Sequence, residues 1–138
     1  MHIVALKSPD SRDRRSVIHP DTVEKISTLQ GITFSFESGI GNGINISDKT
    51  FINMGLKPLP RDECLSKGNL IITPTSLSLD ETVKVQSGST VLGMVNPFYA
   101  GDELKALNQS RINIVSMEFI PRITRAQKMD VLSSQANL

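Results

Sequence analysis

The sequence is most informative first in what it has little of. It contains one cysteine, Cys64, so an internal disulfide is excluded, and a lone thiol fits a reducing compartment. It contains two histidines, His2 and His19, far apart in the chain, and with a single cysteine they do not make a zinc site of the usual kind. No metal is therefore expected. No apolar run approaches the roughly 20 residues needed to span a bilayer, and the start "MHIVALKSPD" lacks the basic opening and long apolar middle of a signal peptide. The charge is nearly balanced, 15 Lys+Arg against 14 Asp+Glu, so no overall field favours nucleic acid or an anionic membrane. What remains is a chain of 138 residues with 38% hydrophobic content, enough for one cored domain and too short for two comfortable ones. The expectation is a soluble, cytosolic single domain that neither binds nucleic acid nor inserts into a membrane.

Short apolar runs alternate with amphipathic segments along the chain. "HIVALK" (2–7), "ITFSFES" (32–38), "NLIIT" (69–73), "TVLGMVN" (90–96) and "INIVSMEF" (112–119) read as buried strands. Between them, "DTVEKISTLQG" (21–31), "SDKTFINMG" (47–55), "PRDECLSKG" (60–68), a segment starting at Ser78 and "AGDELKALNQS" (100–110) read as helices, several ended by glycine. Such alternation predicts an α/β fold of three layers, flavodoxin-like or Rossmann-like, with a mainly parallel sheet of about five strands. Ligands of such a sheet bind at the carboxyl ends of its strands.

Several segments invite a chemical reading. In "ESGIGNGINIS", Gly39, Gly41 and Gly43 follow a strand, but residues 44–47 intervene before a helix can start. A phosphate-binding turn needs that helix at once, so the glycines are read as a flexible loop tolerant of positive φ rather than a cofactor fingerprint. Neither histidine has a signal linking it to Cys64 or a serine, and Cys64 beside Leu65 reads as a packed helix residue. Arg12, Arg14 and Arg15 follow the first strand, where one of them can clamp a carboxylate or phosphate; a solvated basic loop is the bland alternative. The last segment, "PRITRAQKMDVLSSQANL" (121–138), is the richest. Thr124 and Gln127 fit a capping box, with Met129 and Leu132 as the buried face. Gln127, Asp130 and Ser134 share another face, with Ser133 beside Asp130 and Arg122 just upstream. Cap and site both remain open on the residues alone.

That terminal stretch resembles the signature closing the first subdomain of the alanine dehydrogenase and pyridine nucleotide transhydrogenase family. "DRRSVIHPDTVEKI", "FESGIGNGINISDKTFINMG" and "SGSTVLGMVNPFYAGDELKAL" follow the order of the family's N-terminal segments, so the resemblance covers nearly the whole chain. It is similar above all to the family's NAD(H)-binding alpha subunits of proton-translocating NAD(P) transhydrogenases. The resemblance implies that residues 1–138 are an N-terminal subdomain, with 121–138 leading to a Rossmann-type subdomain that holds NAD(H). No strand–glycine turn–helix unit with a downstream acid occurs within the 138 residues themselves.

By the same resemblance, Arg122, Asp130 and Ser133 approach the nicotinamide carboxamide. Gln127 sits where NAD(H) meets the NADP(H) of a partner component, and Arg15 corresponds to an arginine of the substrate pocket in alanine dehydrogenases. The family's keto-acid enzymes use a lysine and a histidine at neighbouring strand ends. Here those positions fall at Thr73 and Asn96, neither of which transfers protons at neutral pH; Lys84 is the one substitute if the register differs by a gap. The resemblance thus implies a component of a proton-translocating oxidoreductase, inactive as a fragment. Its implied partners are NADP(H)-binding and membrane-spanning components and a second copy of the complete subunit, at the cytoplasmic face of the inner membrane. The alternatives are an amino-acid dehydrogenase fragment and a non-catalytic assembly module.

Overall fold

A computed structural model describes residues 1–98, 101–121, 123–126 and 129–130. Its strands are β1 (His2–Ala5), β2 (Thr33–Glu37), β3 (Lys57–Leu59), β4 (Leu70–Thr73), β5 (Thr90–Gly93) and β6 (Asn113–Ser116). Its helices are α1 (Pro20–Ser27), α2 (Asp48–Asn53), α3 (Arg61–Lys67), α4 (Leu79–Thr82) and α5 (Gly101–Gln109). All strands pair in parallel, in the order β3-β2-β1-β4-β5-β6. That is the doubly wound order in which the chain runs outward from β1, returns, and runs outward again from β4.

The expected α/β layering holds, with six strands rather than about five. The missed strand, β3, is three residues long and carries Pro58 at its centre. Proline cannot donate to a ladder, so a run containing it does not read as a strand, yet at a sheet edge the missing N–H costs nothing. β3 is such an edge, bonded only to β2.

Strand alternation divides the core between the two faces. Val4, Leu6, Ile71 and Val91 join Cys64, Leu65 and Leu107, so α3 and α5 cover one face. Ile3, Ala5, Phe34 and Phe36 join Val23 of α1 and Phe51 of α2 on the other, where the Phe36 and Phe51 rings lie 5.4 Å apart. Cys64 is indeed a packed helix residue; burial, with the nearby Glu37 charge, pushes its thiol up to about 12. Ser78 caps α4 through a reciprocal box with Glu81. α1 stops at Ser27, before the expected Gly31, and the last strand stops at Ser116 and passes into a 3₁₀ turn, Met117–Phe119. Among the described residues no helix is long and apolar enough to cross a membrane.

The terminal stretch departs from expectation. Its described residues form turns, with the amides of Ala126 and Met129 bonded to the carbonyls of Ile123 and Ala126. Met129 is 58% exposed rather than buried; Ala126 and Asp130, four residues apart, face inward instead. Leu132 and Ser134 lie outside the described residues.

Candidate functional site

A cavity of about 860 Å³ opens at the carboxyl ends of β1, β4 and β5, where β1 and β4 lie side by side and the strand order reverses. The sequence places the ligand edge here, and the topology gives the reason: connections leave these two strands toward opposite faces, so a crevice opens between them. One wall is the loop after β1, Arg14 to His19; another is Gly43 and Ile44 after β2. Ile72, Thr73 and Pro74 form the floor with Leu92, Gly93 and Met94, and Met117 closes the β6 side. The lining is mostly aliphatic, as suits a flat organic ring.

Two glycines permit this shape. A Cβ at Gly93 would overlap the Thr73 carbonyl, and one at Gly43 would overlap the Arg14 backbone. The reading of the 39–43 loop is therefore corrected in one respect. Gly39 has the positive φ expected of a loop glycine (82°), but Gly41 and Gly43 are needed for close approach, and the loop is packed. A Gly41 Cβ would overlap the carbonyl of Ile46. The segment after it forms a 3₁₀ turn, Asn42–Ile44, rather than a phosphate-binding helix start.

The arginine cluster resolves into different states. Arg15 lines the cavity, but its Nε and Nη2 donate to the two carboxylate oxygens of Asp13 at 2.8 and 2.7 Å. That clamp holds the Asp13 carboxyl well below the usual range. Arg12 folds onto Asp10 in the same way, at 3.0 and 2.9 Å. Arg14 differs: its Nε donates to the Gly43 carbonyl at 3.1 Å, and no carboxylate pairs with it among the described residues. His19, which carries no catalytic signal in the sequence, also lines the cavity, with Nδ1 3.5 Å from a carboxylate oxygen of Asp21.

The positions weighed for keto-acid chemistry are now placed. Thr73 lines the floor, but its hydroxyl is buried and donates to the Thr75 carbonyl at 2.7 Å. Asn96 is outside the lining, held with positive φ (46°) while its amide donates to Glu118 at 2.6 Å. Lys84 does not replace the missing lysine: it follows α4 and pairs with Asp62 of α3 at 2.8 Å, away from the cavity lining. Asp130 is buried and engaged in an interaction of its own. Arg122, Gln127 and Ser133 lie outside the described residues.

Sequence reasoning missed a charged cluster beside the strand ends. Arg61 at the start of α3 donates from Nη1 to Glu37 at 2.7 Å and to the Lys7 carbonyl at 2.9 Å, and from Nε to Glu81 of α4. Glu37 is 6% exposed and also accepts the Lys7 amide. A carboxylate closing the apolar run "TFSFE" was the available signal, since a buried acid requires a cation.

The dinucleotide fit is partial. The wall and floor can accept a ring, but residues 6–19 separate β1 from α1 as an irregular loop, so no helix amides face the crevice there to hold a pyrophosphate.

Comparison with known proteins gives a consistent picture. Residues 7–138 match the family model "Alanine dehydrogenase/PNT, N-terminal domain". The chain is 33% identical over 146 aligned residues to a protein of Rickettsia prowazekii that forms the first portion of a divided NAD(P) transhydrogenase alpha subunit, covering all of this chain and 37% of that protein. The crystal structure of transhydrogenase from Sinorhizobium meliloti superposes with a TM-score of 0.89 at 29% identity, covering 97% of this chain and 40% of the other. An L-alanine dehydrogenase shares the fold, with a TM-score of 0.80 at 16% identity over 91% of this chain and 34% of the other. The chain thus spans about two fifths of the length of the relatives it matches.

Proposed function

The chain belongs to the family of alanine dehydrogenase/PNT N-terminal domains, and from that premise we propose that it forms the N-terminal, NAD(H)-side portion of the alpha subunit of a proton-translocating NAD(P) transhydrogenase. The observation that carries the choice of branch is the cavity's missing keto-acid anchor. No lysine lines it: Thr73 holds its own turn and Lys84 is tied to Asp62. The cavity's Arg15 is neutralised by Asp13, and Asn96 lies off the wall. A keto acid would find neither a cationic anchor at the strand ends nor an acid beside it, which disfavours the alanine dehydrogenase reading.

In this proposal NAD(H) supplies the hydride, and the chain orients the ring and excludes water. The aliphatic floor packs one face of the nicotinamide. Arg122, Asp130 and Ser133 bond its carboxamide, and Gln127 stands between it and the nicotinamide of NADP(H). Burial of Asp130 supports an inward-facing polar end to the terminal stretch. The pyrophosphate is held by a Rossmann-type subdomain beyond these residues. NADP(H)-binding and membrane-spanning components complete the enzyme at the cytoplasmic face of the membrane, with the complete subunit dimeric. By itself the 138-residue chain is inactive.

A titration tests this division of labour. Calorimetry with NADH should give millimolar affinity at best for the isolated chain, because the phosphates meet no helix N-terminus. Micromolar or tighter binding would overturn the assignment of the pyrophosphate to another subdomain.

A further inference from the structure

The three arginines after β1 are chemically unequal, and the inequality has a functional consequence. Arg12 and Arg15 each close a two-residue loop onto an aspartate, Asp10 and Asp13, and give it both a side-chain fork and a backbone amide. Each pair carries no net charge. An incoming anion at Arg15 would gain only what remains after Asp13's opposing charge, and Asp13 is held ionised by the clamp itself. Arg14 has no such partner among the described residues. Its Nε is tethered to the Gly43 carbonyl, and its backbone is pressed so closely to Gly43 that no larger residue fits there. The tether uses one donor and leaves the two terminal amino groups, the edge that suits a pair of anionic oxygens. The carboxylates on surrounding loops are occupied: Asp48 accepts the Gly39 amide, Glu118 the Asn96 amide and Ser116 hydroxyl, and Asp21 lies beside His19.

We propose that Arg14, and not Arg15, is the residue through which this cavity takes up an anionic oxygen group of its ligand, a phosphate or a carboxylate. Asp13 is then a specificity device that removes Arg15 from anion binding. The inference rests on the cavity being the ligand site, as in the reading above, but not on the ligand being NAD(H).

Amide NMR of the chain at constant ionic strength tests it, with pyrophosphate and pyruvate as separate probes. Either probe should shift the amides of Gly43, Ile44 and Ser16, and the tighter one identifies the class of oxyanion. Arg14→Gln should weaken that binding by roughly tenfold or more, the scale of a charge-assisted contact. Arg14→Lys should weaken it less, and Arg15→Gln should leave it nearly unchanged. Asp13→Asn should strengthen it by releasing Arg15. Loss of binding in Arg15→Gln with Arg14→Gln intact would overturn the assignment, as would absence of any shift at these amides up to tens of millimolar. Because the readout is oxyanion binding, failure of NADH to bind leaves the inference standing, and failure of this titration leaves the transhydrogenase reading standing.

Discussion

Replacing Arg61 by alanine should lower the stability of the chain by about 3–5 kcal/mol, the scale for removing one partner of a buried ion pair. Arg61, Glu37 and Glu81 side chains are 19%, 8% and 17% exposed. Removing the guanidinium therefore strands two carboxylates beside the strand ends, where water reaches them poorly. Because domains of this size are stable by only about 5–15 kcal/mol in total, the variant should be close to unfolding.

The pH dependence provides a second reading. Burial opposes the charge of Glu81, yet the Arg61 guanidinium and the Ser78 hydrogen bonds together hold its carboxyl below the usual range. A carboxyl depressed in the folded state stabilises above its unfolded pKa. That contribution disappears as pH falls through the folded value, that is, on acidification below the ordinary glutamate range. Urea unfolding of the wild type should show this acid-side loss, and Arg61→Ala should show it flattened. A stability change below about 1 kcal/mol would mean that the network is solvated like a surface pair.

The second large effect concerns Gln127, whose proposed place is between two nicotinamides. In the complete subunit with its NADP(H)-binding component, Gln127→Ala should slow hydride transfer at least tenfold and leave NADH affinity and melting temperature nearly unchanged. Misplacing a reacting centre by about 1 Å can cost on the order of 100-fold in rate. A cap residue behaves oppositely, since its loss costs roughly 0.5–2 kcal/mol of stability and no chemistry. Unchanged turnover with a lowered melting point would return Gln127 to a capping role.

The layering was legible because a parallel sheet covered on both faces turns its strands into near-continuous apolar runs, as in "HIVA" and "LIIT". The ligand edge was legible from the same topology. Pro58 concealed β3, since the rule that excludes proline from ladders does not hold at an edge. The states of the arginines were not legible from residue type: Arg14 and Arg15 are adjacent and identical, and only the fold-back onto Asp13 separates them. The repeated spacing Asp10–Arg12 and Asp13–Arg15 is the cue that the sequence does carry. Distance in space decided Lys84, which no count along the chain could have paired with Asp62. Met129 escapes the helical pattern because burial in the terminal stretch follows Ala126 and Asp130, a polar pattern that apolar periodicity passes over. The roles given to Arg122, Gln127 and Ser133 come from family resemblance alone.

The most direct test is the identity of the hydride acceptor. The complete subunit, mixed with its NADP(H)-binding component, is supplied with NADH and either a spectroscopically distinct NADP⁺ analogue or pyruvate with ammonium. The account predicts rapid reduction of the NADP⁺ analogue and no oxidation of NADH by pyruvate. NADH-dependent reductive amination of pyruvate, with no transfer to the NADP⁺ analogue, would contradict it.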